Sequence, residues 1–243
     1  KGRDWDALAR QAMDRNFRAV DLGVAMRVSG RSERRAFSAR NVVGRIPGKT
    51  GRVILYIAHL DHLGLSADGQ VYNGAVDNAS AVAAMILTAR SFAMASGRLE
   101  HTLMFVGTAA EEAGLLGAEW YAAHADLAAV DAVINYESAP VWKEYQAFAG
   151  IGAKFCGFEE VMKKTLPTLG LSYGYSSLEN QGFLFRSDQY VFVARGVPAI
   201  MLYPAGPEVD GSRHAETWLE KDYHRPTDDF SPEWPLDGLR QII

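Results

Sequence analysis

The chain has 243 residues, with 25 Lys and Arg against 29 Asp and Glu, 48% hydrophobic and 22% charged residues, and a single cysteine. That composition excludes a disordered chain, and the net charge of −4 argues against nucleic acid, whose binding needs a basic surface to release counterions. One cysteine, Cys156, excludes an internal disulfide framework and any thiolate metal cluster, so a metal here must be held by His and carboxylates.

At roughly 100–200 residues per domain, residues 1–243 read as one domain, with 1–40 as an N-terminal extension. Residues 5–17 carry helical spacing (Trp5, Leu8, Ala9, Ala12, Met13) behind Asp4 as N-cap. Residues 24–28 read as a strand, 31–35 as a charged turn, and 41–46 as a strand closed by Pro47-Gly48-Lys49. Residues 53–58 (VILYIA) form a solid apolar run, the mark of a strand buried on both faces, and end at His59. A helix of small apolar residues follows over 80–96, closed by Gly97. A second buried strand spans 102–107 (TLMFVG), just before Glu111-Glu112, and a helix 113–124 follows it. A third strand, 131–136 (DAVINY), ends at Glu137; a helix over 158–169 and a late strand over 198–203 complete the pattern. Alternating strands and helices predict an α/β layer fold with a mostly parallel central sheet. No run reaches membrane-spanning length, the most apolar being broken by Arg90. The chain starts at Lys1 without a visible signal peptide and stops in what reads as an unfinished helix, so a fragment or processed form is expected.

Three apolar strands thus end in metal-capable residues. Open α/β sheets bind ligands outside the carboxyl ends of their strands, so His59, Glu111-Glu112 and Glu137 should converge. In the H-x-D of His59 and Asp61, the carboxylate suits the task of fixing a ligating imidazole. His62 competes with His59 as a ligand, and His59 is preferred because it directly follows the strand. Asp77, in NGAVDNAS (73–80), either caps the next helix or serves the site. Adjacent glutamates suit one ligand and one base, or else an acidic first helical turn. Gly114 and Gly117 disfavour a merely stable helix and suggest close approach of backbone elements. His224 lies in a loop set by Pro226, free to reach a site or to sit on the surface. Together these residues supply two His, three carboxylates and a spare glutamate, the donor set for two zinc ions sharing one bridging acid.

The ordered set HLDHLG, NGAVDNAS, AAEEAGLLGAEWY, INYES, RSDQYVFVARGVPAI and YHRPTDD, running from about 41 to 230, resembles the co-catalytic di-zinc aminopeptidases. That family includes bacterial leucyl aminopeptidase, aminopeptidase S and aminopeptidase Y, and is related to glutamate carboxypeptidase II, transferrin receptor and glutaminyl cyclase. The resemblance implies a three-layer α/β sandwich around a mixed, mostly parallel sheet. It implies that His59 and Glu137 hold one Zn2+, Glu112 and His224 the other, and that Asp77 bridges both, with a cis peptide to Asn78. Glu111 is then the general base and later the acid, Asp61 orients His59, Tyr223 stabilises the oxyanion, and Asp188 supports the site or caps a helix. Val76, Ala81 and Glu137 depart from the usual acid, Gly and Asp; the longer Glu137 can shift or weaken its ion. No protease-associated domain is read.

The implied activity is removal of N-terminal residues from peptide substrates, in the periplasm or outside the cell. Rivals are a carboxypeptidase or dipeptidase, for which Arg186 and Arg225 would bind the substrate carboxylate, a single-zinc glutaminyl cyclase-like acyltransferase, and a metal-free binding module. Phe183, Phe185 and Tyr203 could shape a hydrophobic specificity pocket. Trp120, Tyr121 and Trp142 read as packing, with Trp142 close enough to Glu137 to line a pocket, and Cys156 reads as a buried thiol.

Overall fold

A computed structural model of the chain describes residues 4–33, 36–95 and 99–243. It divides into two compact units, Lys1–Phe37 and Ser38–Ile243. In the first, helix α1 (Trp5–Ala12) is capped by the Asp4 carboxylate, which accepts the Ala7 N–H at 3.0 Å. The expected helix to 17 stops early because the Asp14 side chain takes the Asn16 N–H at 2.8 Å and draws the chain into a turn. The expected strand over 24–28 is absent: Val24, Met26 and Val28 are exposed and no ladder pairs them among the described residues. Arg34 and Arg35 of the expected charged turn, and Ser96 and Gly97 at the end of the expected helix, lie outside the described residues.

The second unit runs β1 (Val42–Ile46), β2 (Val53–His59), β3 (Gly64–Leu65), β4 (Val71–Tyr72), α2 (Ala81–Met94), β5 (Thr102–Thr108), α3 (Leu116–His124), β6 (Val130–Tyr136), β7 (Ala147–Ile151), α4 (Phe158–Thr165), β8 (Ser172–Tyr173), α5 (Gln189–Val193), β9 (Ala199–Pro204), α6 (His214–Lys221) and α7 (Asp237–Gln241). The main sheet has the order β1-β5-β2-β6-β9-β7-β8. Its centre, β5-β2-β6-β9, is parallel, β1 and β7 join antiparallel, and β8 runs parallel to β7. This is the expected mixed, mostly parallel sheet.

The two-residue strand period splits the apolar runs between two faces. Leu55, Ile57, Val106 and Val133 face α3 and α5, where Ala118, Ala122, Val191 and Phe192 meet them. Tyr56, Ala58, Phe105 and Tyr136 face α2 and α7, against Ala81, Ala84, Met85 and Leu239. Helix, sheet and helix thus form three layers, and each buried Leu or Ile contributes about 1.5–3 kcal/mol. Central strands covered on both faces leave their carboxyl ends open to ligands, and there the site is built.

Two helices differ from their expected bounds for local reasons. Residues 111–115 close a turn through Leu115 N–H on Glu111 O at 2.8 Å, with Gly114 at φ +111°, so α3 starts only at Leu116. Helix α4 gives way at Thr165 to a tighter turn, Leu166–Leu169, where Pro167 lacks the N–H an α-helix needs. Among the described residues no helix is long and apolar enough to cross a membrane.

Candidate metal centre

Strand β2 delivers His59 to the sheet edge, almost wholly buried, with its two ring nitrogens differently engaged. Nδ1 donates to the Asp61 main-chain carbonyl at 3.0 Å, so in the neutral ring the lone pair is on Nε2. Nε2 then faces two carboxylate oxygens, Glu137 Oε1 at 3.0 Å and Asp77 Oδ1 at 3.2 Å. The expected partner of His59 was the Asp61 carboxylate, and here the structure differs. That carboxylate lies 4.0 Å from Nδ1 and instead accepts the N–H groups of Glu111 at 3.0 Å and Glu112 at 3.2 Å. Asp61 therefore holds the imidazole with its backbone and the two glutamates with its side chain.

Glu111 and Glu112 hang beyond β5 on a segment fixed from both ends. Asn41 accepts the Ala109 N–H at 3.0 Å and donates to Gly117 O at 2.8 Å. A Cβ at Gly117 would stand 2.3 Å from Ala109 O, so the start of α3 approaches this backbone as only glycine allows. Glu137 follows β6 directly; its Oε2 accepts the Ser187 hydroxyl at 2.6 Å. Asn78 pins the same strand end, donating to Tyr136 O at 3.2 Å and accepting the Ser138 N–H at 2.9 Å.

Asp77 sits in a distorted turn, Ala75–Ser80, and its peptide bond to Asn78 is cis. Its carboxylate divides between two neighbours: Oδ1 toward His59, and Oδ2 toward His224 Nε2 at 3.2 Å. His224 Nε2 also lies 3.3 Å from Glu112 Oε2. The buried Asp228 carboxylate holds the turn from behind, accepting Val76 N–H, Asp77 N–H and Trp218 Nε1–H, each at 3.0 Å. Ala110, Ser138 and His224 all have positive φ, between +45° and +58°. Left-handed backbone at non-glycine residues costs about 1–3 kcal/mol each, and three of the five such residues among the described ones lie here.

The electrostatics follow from burying several acids beside imidazoles. Burial alone would lower the His59 pKa, yet Glu137 and Asp77 lift it well above its ordinary value. Hydrogen bonds that His224 donates to Asp77 and Glu112 raise its pKa to about 9. Burial opposes the ionisation of Glu112, but His224 and His62 together bring it down to about 2. Glu111 has no such hydrogen bond among the described residues; burial, then the charge of Glu137, pushes it up to about 9 against the opposing pull of His59. Asp188 does not cap α5 with its side chain; it is buried, accepts the Thr108 hydroxyl at 2.5 Å, and burial raises it to about 7.

This donor set fits divalent cations. Single imidazole nitrogens stand between pairs of carboxylate oxygens, more acceptors than one proton can serve. Glu112 Oε1 is buried with no hydrogen-bond partner among the described residues. Candidate ligand atoms of His59, Glu111 and Glu137, and of His62, Asp77 and Glu112, form two groups, each within 4.8 Å. Of these groups, Asp77, Glu111, Glu112 and Glu137 line a cleft of about 260 Å³ whose walls also include Phe183, Phe185, Arg186 and Tyr223. Tyr223 stacks on His224 with ring centres 3.9 Å apart, and Arg186 donates to its hydroxyl at 3.4 Å. Arg225 is exposed and outside that lining, Tyr203 is buried away from it, and Trp142 packs beside Trp218. Cys156 is half-buried.

Residues 41–240 match the profile of Peptidase family M28. The chain belongs to this family. Comparison with curated proteins finds no match. Among solved structures, this M28 chain is similar to a zinc aminopeptidase from Bacillus subtilis, at 20% identity and a TM-score of 0.58, over 83% of this chain and 46% of that one. It is also similar to a leucine aminopeptidase precursor from Bacteroides thetaiotaomicron (16%, 0.61, 84% and 73%). Glutaminyl cyclase from Porphyromonas gingivalis is a third (15%, 0.60, 83% and 74%). The chain spans less than half of the Bacillus subtilis protein, and these likenesses are likenesses of fold.

Sequence reasoning gave no role to Asp228 or Ser187 and passed over His62. Asp228 and Ser187 act across 151 and 50 residues, on Asp77 N–H and Glu137 respectively, so no local pattern marks them. His62 was visible in H-x-D-H.

Proposed function

We propose that this chain is a zinc-dependent aminopeptidase that removes N-terminal residues from peptides and works with two zinc ions. His59, Asp77 and Glu137 would hold one ion, Glu112, His224 and Asp77 the other. The observation that carries this reading is the division of the Asp77 carboxylate, one oxygen toward His59 and the other toward His224. When bound, such ions polarise a carbonyl and lower the pKa of a water toward about 7.

The chain's own groups supply the rest. Glu111, at the cleft wall, takes a proton from the attacking water and returns it to the leaving amine. Cations beside it would pull its raised pKa back toward the working range of a base. Tyr223 offers its hydroxyl to the oxygen on which charge develops. Phe183 and Phe185 give the cleft an apolar wall for a substrate side chain. Among the described residues Arg186 is the one lysine or arginine in the cleft lining, so no cluster of cationic side chains stands ready for a substrate carboxylate, which favours the aminopeptidase reading. Family membership supports a peptidase, and the zinc aminopeptidase from Bacillus subtilis is a neighbour in fold.

The test is metal content of protein purified without chelator, paired with a panel of aminoacyl-anilides. About two zinc per chain with release of the free aniline is expected. One zinc with cyclisation of glutaminyl peptides would favour the cyclase reading, and no metal with no activity would leave a binding module.

A further inference from the structure

We propose that His62 is an additional ligand of the ion held by Asp77, Glu112 and His224, an inference that rests on the two-ion reading. The His62 side chain is only 7% exposed, yet neither ring nitrogen has a hydrogen-bond partner among the described residues. An unsatisfied buried polar group costs about 1–3 kcal/mol, so an orphaned imidazole asks for a partner. Its Nδ1 lies 2.9 Å from Glu112 Oε1, itself without a hydrogen bond, and 3.9 Å from Asp77 Oδ2. The atoms are close without the alignment of a hydrogen bond, as two donors turned toward a common third atom would be.

The spacing agrees. Ligand atoms about 2.0–2.2 Å from a tetrahedral ion stand about 3.3–3.6 Å from one another. Both imidazoles face Asp77 Oδ2, His62 Nδ1 at 3.9 Å and His224 Nε2 at 3.2 Å, and each faces one oxygen of Glu112, His62 Nδ1 at 2.9 Å from Oε1 and His224 Nε2 at 3.3 Å from Oε2, distances on both sides of that value. The rings of His62 and His224 meet edge to face, 5.8 Å between centres and 75° between planes, so they approach the position from different directions.

The place of the ring is built into the backbone. Gly74, in the loop that carries Asp77, has φ +64°, and a Cβ there would stand 2.7 Å from His62 Cγ. Glycine at this point therefore clears the space that the imidazole fills. The outcome is an unequal pair of positions. One has His62, His224, Glu112 and Asp77; the other has His59, Glu137 and Asp77. The first should fill first.

The experiment titrates chelator-stripped protein with Zn2+ by calorimetry and with Co2+ by visible absorption. Wild type should take up two ions in unequal steps. His62→Ala should weaken the tighter step by roughly 10–100-fold and alter the Co2+ spectrum, leaving the step at His59 in place. His224→Ala should weaken the same step. His62→Gln, which keeps bulk and polarity, guards against a folding defect, with circular dichroism of each stripped variant as control; it should weaken the step as well. Two ions bound by both His62 variants with wild-type affinities and an unchanged Co2+ spectrum would overturn the proposal and leave the two-ion reading standing. A wild-type protein that takes up no metal would sink that reading and this proposal with it.

Discussion

Asp61 joins both halves of the centre, and its side chain can be removed without touching the contact its backbone makes. The carboxylate accepts two main-chain N–H groups, at 3.0 and 3.2 Å, from Glu111 and Glu112, while the main-chain carbonyl holds His59. A hydrogen bond to a charged acceptor is worth about 1.5–3 kcal/mol, so the pair sums to about 3–6 kcal/mol. The side chain is 26% exposed, and water can replace part of this, which sets the expected loss for Asp61→Ala near the low end, about 3 kcal/mol. Asp61→Asn keeps one acceptor and turns amide hydrogens toward the other N–H, for a loss of about 1.5–3 kcal/mol. The functional effect is larger than the stability effect suggests. Glu111 rides on the released peptide, and a displacement of about 1 Å can cost on the order of 10²-fold in rate. Urea unfolding followed by tryptophan fluorescence measures the first quantity, and kcat/KM on an aminoacyl-anilide the second. Zinc calorimetry should show the ion at His59 retained. Stability within 0.5 kcal/mol (about the scatter of a neutral surface change) and kcat/KM within about twofold for Asp61→Ala would refute the reasoning. So would selective loss of the ion at His59, which would mean that the carboxylate acts on the imidazole 4.0 Å away.

Glu111→Gln should lower turnover by roughly 10²–10⁴-fold with both metals still bound, read by anilide hydrolysis and elemental analysis of the same sample. Unchanged turnover would remove Glu111 from the role of base. Asp188 gives a pH test on chelator-stripped protein. Burial raises its folded pKa to about 7 from an ordinary 3.8, so the folded state keeps a proton that the unfolded state has released. Stability should therefore fall as pH rises from about 4 to 7, and Asp188→Asn, which cannot ionise, should gain in melting temperature over wild type across that range. A difference that does not change with pH would show that Asp188 is not the titrating group. Finally, chelation should lower the melting temperature of wild type, because it leaves Asp77, Glu111, Glu112 and Glu137 together without cations, and zinc should restore about 4 kcal/mol for each site it fills at about 1,000 times that site's Kd.

The strands that carry the centre were legible because burial on both faces writes an unbroken apolar run, as in residues 53–58 and 102–107. Their ends were legible for the converse reason: a carboxylate or imidazole directly after such a run has no packing explanation. Strand β7 (AFAGI) left little trace, since small residues suffice where Gly150 must pass Met162 Sδ, 2.6 Å from a Cβ built there. Helix α5 has five residues, too few for a period to show. The strand read over 24–28 failed because alternation alone does not supply a pairing partner. The true partners of the Asp61 carboxylate were hidden in a different way. They are backbone N–H groups, which every residue has and no sequence displays.

Asp228 pins the N–H of Asp77 from 151 residues further along the chain, in the loop that begins with Tyr223 and His224. A ribosome makes the two ends of that contact far apart in time. Growing chains hold His59, Asp77, the two glutamates and Glu137 well before they hold the imidazole and the carboxylate that close the arrangement. Until residues 224–228 have emerged, the turn at Asp77 has no clamp and its second imidazole is missing. The centre is therefore complete only after residues 224–228 exist, when all the strands of the sheet beneath it have already been made.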